Sequence, residues 1–273
     1  MKNISIFCLT LDPDHEKTIE KLSYIPVGLG SKKFSEKCFT DKTGENISYK
    51  NEFYGEYTFH YWLWKNYLDS IKTEWVGFCQ YRKFFVKKKV DEKKLSFEDL
   101  NENILKTIEK NLDNFDCILG KSFSVENYKI SKIIKNHFSV FIKNPSLLFF
   151  RKKRTLKLHF DLFHGKNNLD LAINCLDENN KDDFRFYMYN KNSFNPHNMF
   201  VCKTKILKKY YENIFPWLAN CEKIFGFKNL TGYGLTRIYG FLAERFLSYW
   251  FNKNYSVQEL PIIVKDLSDY KVS

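Results

Sequence analysis

The sequence predicts an α/β fold, an open mixed sheet flanked by helices, with a helical C-terminal part. Three observations support this prediction. Short apolar runs at residues 4–9, 75–79 and 115–120 are typical of buried strands. Aromatic residues recur at helical spacing between the first two runs, and again in a helix predicted from residue 231 to about 251. Polar side chains follow the run at 75–79, as they do where an open sheet forms a ligand-binding crevice.

Length and composition are those of a chain with a substantial core. The 273 residues predict one domain over residues 1–273, with or without an added helical lobe. Apolar residues make up 44%, and 27 Phe, 17 Tyr and 5 Trp indicate that aromatic rings fill much of the interior. The formal charge of +12 predicts attraction to anions, which nucleic acid, an anionic membrane or a diphosphate ligand would all satisfy.

The cysteines and the apolar segments predict a cytoplasmic protein. Seven scattered cysteines without a CxxC pair favour a reducing compartment over a disulfide framework or a zinc site. The apolar segment at the N-terminus is too short for the core of a signal peptide. No apolar run approaches the roughly 20 residues that span a bilayer. A peripheral position on the inner membrane face stays open, and the basic run 151–154 is either an exposed face or a contact with anionic lipid.

Between the first strand and the strand at 75–79, a turn-rich loop at residues 41–51 leads into an aromatic helix. Its stripe, which core packing explains, consists of Tyr54, Tyr57, Tyr61, Trp64 and Leu68. Glu56 and His60 lie one turn apart on the other side, either as a surface contact or as part of a site. Thr10 begins the turn after the first strand, which a nucleotide-binding loop and an ordinary strand end would both explain.

The strand at 75–79 delivers Gln80, Tyr81, Arg82 and Lys83 at its end. Arginine binds phosphate in a bidentate manner and lysine adds a point charge. These side chains could therefore neutralise a leaving diphosphate without a metal ion. The alternative is a basic surface patch that continues into residues 87–89.

The C-terminal half offers a second group of candidates. His197 and Asn198 lie in a loop that feeds a predicted strand, as structural groups or at the mouth of a site. Residues 205–225 predict a helix that Pro216 kinks or divides. In the last helix, Arg237 and Glu244 are two turns apart, about 10 Å along the axis. Each therefore needs another partner. The stretch 125–154, with His137, is basic and less regular.

Several stretches together resemble one family, domain of unknown function 4422, the glycosyltransferase-like proteins of bacterial capsule and exopolysaccharide clusters. The matching residues are Ile25-Pro26-Val27-Gly28, Asp41, Thr43-Gly44-Glu45-Asn46-Ile47-Ser48, Lys50-Asn51, Tyr54-Gly55-Glu56-Tyr57-Thr58, Tyr61-Trp62-Leu63-Trp64-Lys65-Asn66, Gly77-Phe78-Cys79-Gln80-Tyr81-Arg82-Lys83, Asp116, Asn198-Met199-Phe200, Phe215-Pro216-Trp217-Leu218 and Gly240-Phe241-Leu242-Ala243-Glu244-Arg245. Two departures stand out. The family usually has His-Tyr-Arg-Arg where this chain has Gln80-Tyr81-Arg82-Lys83, and a His-Lys pair after the first strand where this chain has Leu9-Thr10-Leu11-Asp12. Gln80 cannot act as a base, which favours a binding role there.

The resemblance implies a GT-A-like fold and transfer of a sugar, plausibly a UDP-linked hexose, onto a growing capsular, exopolysaccharide or lipooligosaccharide glycan. Residues 1–122 would form the nucleotide-sugar half and residues 123–273 the acceptor half. No cofactor and no metal are expected. Arg82 and Glu244 would be catalytic, Glu244 as the general base of an inverting reaction or as an acceptor-orienting group in a retaining one. The sugar donor would contact Thr10, Asp41, Asn46, Lys50, Asn51, Gln80, Tyr81 and Lys83, and the acceptor His197, Asn198 and Arg237.

The expected partners are a nucleotide-sugar donor, a glycan acceptor that could be linked to a lipid diphosphate, and an anionic membrane surface. Two alternatives remain at the level of sequence. One is transfer of a phosphate-containing group to capsule sugars, and the other is a basic module that binds a membrane or nucleic acid without catalysis. Nucleic acid is disfavoured because the aromatic residues fall on buried stripes and not on an exposed stacking platform.

Overall fold

The computed structural model describes residues 2–92, 95–127, 146 and 150–270. It divides into two units. The first comprises Met1–Lys121, His197–Asn213 and Trp250–Ser273, and the second comprises Ser122–Pro196 and Ile214–Tyr249. The predicted halves, 1–122 and 123–273, have other boundaries than these units, because three strands from late in the chain pair within the sheet of the first unit. The stretch 128–145, with His137, lies outside the described residues.

A ten-stranded mixed sheet organises the first unit. Its main order is β3-β2-β1-β4-β10-β7-β11, with β5, β6 and β12 paired at its margins. The strands are β1 (Lys2–Thr10), β2 (Ile25–Gly28), β3 (Phe39–Thr40), β4 (Trp75–Gln80), β5 (Lys83–Phe85), β6 (Thr107–Ile108), β7 (Cys117–Gly120), β10 (Phe200–Lys203), β11 (Val257–Leu260) and β12 (Ile262–Val264). Strands β8 (Phe123–Ser124) and β9 (Ser193–Phe194) form a separate two-stranded antiparallel sheet in the second unit. The prediction of an open mixed sheet flanked by helices is confirmed.

The order of the sheet reverses between β1 and β4. From β1 the chain moves outward to β2 and then β3, whereas β4 pairs with β1 on its other side, also in parallel. In open α/β sheets the crevice outside the carboxyl ends of strands at such a reversal is where ligands bind. Strand β10 runs antiparallel to β4 and to β7, so its N-terminal end lies at this same edge.

The described residues include eleven helices with defined bounds. They are α1 (Glu16–Lys21), α2 (Asn51–Tyr54), α3 (Tyr57–Asn66), α4 (Phe97–Asn103), α5 (Lys110–Asp113), α6 (Leu156–His164), α7 (Asn168–Asn174), α8 (Glu178–Asn190), α9 (Thr204–Phe225), α10 (Tyr233–Thr236) and α11 (Ile238–Asn254). None of the described helices is long and apolar enough to cross a membrane. Pro216 lies inside α9 without dividing it. Near the C-terminus, Pro261 separates β11 from β12, because proline has no N–H to offer a neighbouring strand.

Two short helices replace the single aromatic helix expected after the 41–51 loop. Gly55 separates them with a φ of 58°, a conformation that glycine adopts without steric cost. Tyr57 is fully buried, as predicted, whereas Tyr61 and Trp64 are only half-buried. The more deeply buried side carries Phe59, His60 and Leu63, because this side faces the rings of the sheet.

His60 is a core residue and not a surface or site group. Its side chain is buried, its Nδ1 lies 2.8 Å from the hydroxyl of Tyr211, and its ring packs 4.3 Å from that of Phe78. Burial lowers the pKa of His60 to about 3. The expected Glu56–His60 pair is therefore wrong, because the two side chains enter different surroundings.

Aromatic packing continues through both units. In the first unit, the hydroxyls of Tyr57 and Tyr210 lie 2.7 Å apart in the core. In the second unit, Phe184, Trp217, Phe246 and Tyr249 form one ring cluster, and the Trp217 indole donates to the carbonyl of Ala172 at 2.7 Å. The predicted buried stripe of the last helix is confirmed, since Tyr239, Leu242, Phe246 and Tyr249 are all buried. All seven cysteines are free thiols, and six are buried.

Protonation of His60 should make the fold less stable in acid. The folded state keeps this imidazole neutral down to a pKa of about 3, whereas the unfolded chain binds a proton below about pH 6.5. The stabilisation is therefore complete above about pH 6.5 and is lost as the pH falls, by about 1.4 kcal/mol per pH unit for this one group. Urea denaturation between pH 7 and pH 5 should show a shallower pH dependence for His60→Gln than for the native protein. Parallel curves for the two proteins would contradict this assignment.

Candidate functional site

The turn after β4 is fixed at the carboxyl edge of the sheet by backbone hydrogen bonds. Gln80 ends β4, and Lys83 begins β5. The amide of Tyr81 donates to the carbonyl of Leu9 at 3.0 Å, which joins the turn to the end of β1. From the C-terminal segment, the amides of Lys265 and Leu267 donate to the carbonyls of Arg82 and Tyr81, both at 3.1 Å. The turn predicted to bind a diphosphate is therefore fixed by hydrogen bonds to two segments, the end of β1 and residues 265–267.

Arg82 is exposed at this turn, and its guanidinium carbon lies 5.6 Å from the centre of the Tyr81 ring. Within the described residues no carboxylate forms an ion pair with it. Tyr81 in turn stacks on the imidazole of His15, with ring centres 5.0 Å apart. The geometry leaves the guanidinium at the edge of the sheet, beside the β1–β4 reversal, with its hydrogen-bond donors available to an anion.

Thr10 and His15 brace the loop that follows β1. Thr10 is 1% exposed, and its hydroxyl lies 2.8 Å from His15 Nδ1 and accepts from the amide of Asp12 at 3.1 Å. The other ring nitrogen of His15 lies 2.8 Å from the hydroxyl of Ser268. The Thr10 hydroxyl thus supports the loop, and His15, which the sequence does not single out, connects that loop to Tyr81 and to the C-terminal segment.

Four side chains meet at the end of β4, and we call them the Gln80 cluster: Glu56, Gln80, Lys83 and His197. The Gln80 amide nitrogen lies 3.3 Å from Glu56 Oε1 and 3.3 Å from the carbonyl of His197. Lys83 Nζ lies 3.1 Å from His197 Nδ1. The structure thus brings together Gln80 and Lys83, predicted for the sugar donor, with His197, predicted for the acceptor. It also adds Glu56, which sequence spacing alone connects only with His60.

His197 and Asn198 enter this edge in an unusual backbone conformation. Their φ angles are 82° and 53°, in the left-handed region that residues other than glycine seldom adopt. Both lie just before β10, and Asn198 is 7% exposed. Strain of this kind costs of order 1–3 kcal/mol per residue and tends to occur at binding and catalytic sites. It therefore supports a ligand-binding role for this edge.

The loop at residues 41–51 is braced mainly by its own side chains. Asn46 donates to the carbonyl of Gly44 at 3.0 Å and accepts from the hydroxyl of Ser48 at 2.9 Å. Asn51 donates to the carbonyl of Gly55 and to the hydroxyl of Thr58, both at 3.1 Å. These side-chain amides fix the conformation of the loop. They would therefore affect a ligand indirectly, by positioning the backbone of the loop against it.

Asp41 and Lys50 are placed differently in this loop. Asp41 is fully buried, and neither carboxylate oxygen has a hydrogen-bond partner within the described residues. Burial raises the pKa of this carboxyl, while the nearby Thr58 lowers it in part. The ammonium of Lys50 lies 5.6 Å from the ring centre of Tyr49, which is 76% exposed. An exposed aromatic ring beside a cation is suited to a nucleobase and its phosphates.

Glu244, in the second unit, is paired with the next residue. Arg245 is 1% exposed, donates from Nη1 to Glu244 Oε2, and lies with its guanidinium carbon 3.5 Å from the ring centre of Phe194. Nη2 of Arg245 lies 3.4 Å from His159 Nδ1. Burial, followed by the charge of Arg245, lowers the pKa of His159 to about 2 and that of His164 to about 3, so both imidazoles are neutral.

Arg237 lies outside the helix that carries Glu244. It lies at the break between α10 and α11, where φ is −96° and ψ is 26°, and it is half-exposed. The single helix predicted from residue 231 is therefore divided at Arg237, and α11 begins at Ile238. Glu244 obtains its partner from Arg245, a residue that the sequence does not mark as a site candidate.

No three His, Cys, Asp or Glu side chains among the described residues are grouped so that they could hold a metal ion. The absence of a metal requirement stays a prediction.

The sequence profile of one protein family, described as "Domain of unknown function (DUF4422)", matches residues 13–255. The chain belongs to the DUF4422 family. A search of curated proteins found no match.

The fold of this DUF4422 protein is similar to that of a solved structure titled "WbbM bifunctional glycosytransferase apo structure". The TM-score is 0.62 and the sequence identity 21%, and the similarity covers 96% of this chain and 45% of the WbbM chain. This chain therefore corresponds to less than half of that protein. Two further structures are the mannosyltransferase Ktr4p from S. cerevisiae and core-mannan synthase A from Aspergillus fumigatus in its Mn/GDP form. They match at 11% and 13% identity over 81% and 90% of this chain, and over 62% and 67% of their own. Their TM-scores of 0.30 and 0.27 are too low to support an argument about the fold.

Proposed function

We propose that this DUF4422 protein is a glycosyltransferase with a GT-A-like sheet, which moves a sugar from a nucleotide donor onto a growing bacterial surface glycan. The observation that carries the proposal is the exposed Arg82 at the carboxyl end of β4, beside the reversal of strand order; this arginine forms no ion pair with any carboxylate among the described residues. The similarity in fold to WbbM, which its title calls a glycosyltransferase, supports the same class. Within the main strand order, β10 runs antiparallel to β4 and β7, and this mixed arrangement supports the GT-A-like assignment.

The diphosphate of the donor would bind at the Tyr81–Arg82 turn. The guanidinium can give two parallel hydrogen bonds to phosphate oxygens, and Lys83 adds a positive charge nearby. As the bond between the sugar and the diphosphate breaks, negative charge accumulates on the departing oxygen. A fixed cation at that position stabilises the transition state more than the ground state.

The nucleoside would extend towards β2 and β3, with Tyr49 and Lys50 on the loop that follows β3. Strand order places β3 three strands from β4, a distance of about 14 Å at about 4.8 Å per strand. A nucleoside diphosphate has the dimensions to reach along this edge from the Arg82 turn. Asp41, fully buried in that loop, is the carboxylate that we propose for the nucleoside side. A UDP-linked hexose is the donor we favour.

The second unit would supply the acceptor-directed groups, Glu244 and Arg237. In an inverting reaction the acceptor hydroxyl oxygen attacks the anomeric carbon, its proton passes to the Glu244 carboxylate, and the nucleoside diphosphate departs. Arg245 fixes the orientation of that carboxylate through their ion pair. If the reaction retains configuration, the carboxylate held by Arg245 would instead orient the acceptor hydroxyl.

Transfer of a phosphate-containing group to capsule sugars is the second candidate reaction, because the same cations would bind its donor. The mass of the product separates the two reactions. A purely binding function is less consistent with a strained, half-buried polar cluster beside Arg82.

Contact with an anionic membrane is a separate part of the proposal. Arg151, Lys152 and Lys153 are exposed on a short 3-10 turn next to Phe150, whose side chain is 59% exposed. The fourth residue of the run differs, because Arg154 is buried and donates to the carbonyl of Glu126. An exposed aromatic ring flanked by cations suits the interface of an anionic bilayer, where a lipid-diphosphate-linked acceptor would be found.

Removal of the Arg82 side chain should weaken binding of the nucleoside diphosphate without affecting the fold. Loss of a charged hydrogen bond costs about 1.5–3 kcal/mol, so we expect Arg82→Ala to lower affinity about 10- to 100-fold, and Arg82→Lys to lower it less. Isothermal titration calorimetry with UDP, GDP, dTDP and CMP, each with and without EDTA, measures this. Lys88→Ala, an exposed cation of the 87–89 run, is the matched control. If Arg82→Ala and Lys88→Ala lose affinity equally, the nucleotide is attracted by the overall positive charge and not by the Arg82 turn. If the native protein binds none of the nucleotides, the proposed function is rejected.

Glu244→Gln should abolish transfer while leaving UDP affinity unchanged. The assay is release of UDP from a UDP-hexose in the presence of a glycolipid extract that supports turnover by the native protein. Because the change leaves the buried Arg245 without its charged partner, thermal denaturation is measured alongside, and Glu244→Asp provides a variant that keeps the charge. The exposed Glu178→Gln serves as control. Native turnover in a folded Glu244→Gln protein would remove this residue from the mechanism.

Lys152→Glu should reduce sedimentation with vesicles of mixed phosphatidylglycerol and phosphatidylcholine. Each cation near an anionic surface contributes about 1 kcal/mol, so the apparent affinity should fall at least about fivefold. Phe150→Ser should also weaken binding by removing the inserted ring. Lys88→Glu, with the same change in net charge, should bind normally. If Lys88→Glu binds as poorly as Lys152→Glu, the contact is a property of total charge and not of this turn.

A further inference from the structure

Phosphate binding does not explain the composition of the Gln80 cluster. A carboxylate close to a diphosphate repels it. The Glu56 carboxylate nevertheless lies 3.3 Å from the side-chain amide nitrogen of Gln80, and Gln80 precedes Arg82 by two residues. A neutral ligand with hydroxyl groups, in contrast, is bound well by a carboxylate, which accepts hydrogen bonds from O–H donors. The cluster therefore matches the sugar end of a nucleotide sugar better than its phosphates.

The hydrogen-bonding capacity of the cluster supports this distinction. The Gln80 amide nitrogen is directed at the Glu56 carboxylate and at the carbonyl of His197, which leaves the amide oxygen as an acceptor. A carboxylate has about four acceptor positions, so Glu56 can accept from more than one hydroxyl. Lys83, held beside the imidazole of His197, supplies donors. Adjacent acceptors and donors of this kind are complementary to neighbouring hydroxyls on a sugar ring.

The position of the cluster points to the transferred sugar and not to the ribose. Both carry adjacent hydroxyls. Along the edge of the sheet, Arg82 follows the end of β4, and the loop proposed for the nucleoside follows β3, on the far side of β1 and β2. The Gln80 cluster lies at the end of β4 and at the start of β10, which pairs with β4 on the side away from β1. A sugar attached to the distal phosphate would lie here, whereas the ribose would lie on the β2–β3 side.

The cluster is also fixed before any ligand binds. Glu56 immediately follows Gly55, whose φ of 58° ends one helix, and it directly precedes the next helix at Tyr57. Gln80 is the last residue of a central strand, and His197 is held in a left-handed conformation. Binding groups on rigid elements lose little conformational freedom when a ligand arrives, which raises both affinity and selectivity.

We propose that Glu56, oriented by Gln80, binds adjacent hydroxyls of the sugar that is transferred and so contributes to the choice of donor sugar. This inference rests on the proposed function. It adds a sugar-recognition residue to a site that was otherwise defined by its phosphate contacts. A donor sugar without one of these hydroxyls should bind less well, because it would make one hydrogen bond fewer to the Glu56 carboxylate.

The test compares nucleotide sugars with the corresponding nucleotides. Calorimetry of the full-length protein uses UDP against UDP-glucose, UDP-galactose and UDP-N-acetylglucosamine, and GDP against GDP-mannose. For Glu56→Gln we expect unchanged affinity for the nucleotide alone, and an affinity for the preferred nucleotide sugar that is lower by about 10- to 100-fold, the value for a charged hydrogen bond. Glu56→Asp, which keeps the charge on a shorter side chain, should recover part of the loss. Glu52→Gln, an exposed carboxylate on the preceding helix, should behave like the native protein.

Three outcomes would overturn the inference. An equal loss for nucleotide and nucleotide sugar would mean that Glu56 contacts the ribose, and unchanged affinity for the sugar form would mean that it contacts neither. A native protein that binds UDP or GDP but gains nothing from any attached sugar would also reject it, while the proposed diphosphate site would stand. A native protein that binds none of the nucleotides would reject the proposed function itself, which separates the two failures.

Discussion

The parallel pairing of β1 with β4 is the constraint on which the candidate sugar-donor site depends. Six residues of β1 pair in register with β4, from Ile4 with Trp75 to Leu9 with Gln80. Because side chains alternate along a strand and strand ends align with register, this pairing decides which residues emerge together at the carboxyl edge. The amide of Tyr81 continues the pairing by one hydrogen bond to Leu9, so the turn that carries Arg82 begins where the sheet ends. A shift of one residue in the register between β1 and β4 would turn these side chains to the opposite face of the sheet.

Strand β10 adds the second half of the same edge. Because it runs antiparallel to β4, its first residues lie where β4 finishes, and His197 reaches the side chains of Gln80 and Lys83. This strand arrives from a part of the chain more than 100 positions later. The strained backbone at His197 and Asn198 is the energetic cost of bringing the chain to the end of β4 with residues other than glycine. Glycine would adopt the same angles more easily but would supply neither an imidazole nor an amide.

Burial divides the ionisable groups into structural and functional candidates. His60, His159 and His164 are all kept neutral by desolvation, and they pack against tyrosine, phenylalanine or arginine side chains. Arg245 is charged in a buried position because Glu244 and the ring of Phe194 compensate its lost hydration. Arg82 is the contrasting case, since it stays exposed and lies close to the ring of Tyr81. A cation retained in that state at the edge of a sheet is suited to a ligand that arrives from solution.

The sequence by itself determined the buried strands β1, β4 and β7, the helical character of the aromatic segments and the polar residues at the end of β4, since these depend on periodicity and turn chemistry among neighbours in the chain. It also determined membership of the DUF4422 family, because that depends on local motifs spread over residues 13–255. Only the tertiary structure decided that His60 is buried and that Glu244 pairs with Arg245. It also decided that Glu56 contacts Gln80 next to His197, which follows Gln80 by 117 positions in the chain. The physical reason is that a side chain's environment is set by the elements packed against it, and pairing across a sheet leaves no periodic signal in the chain.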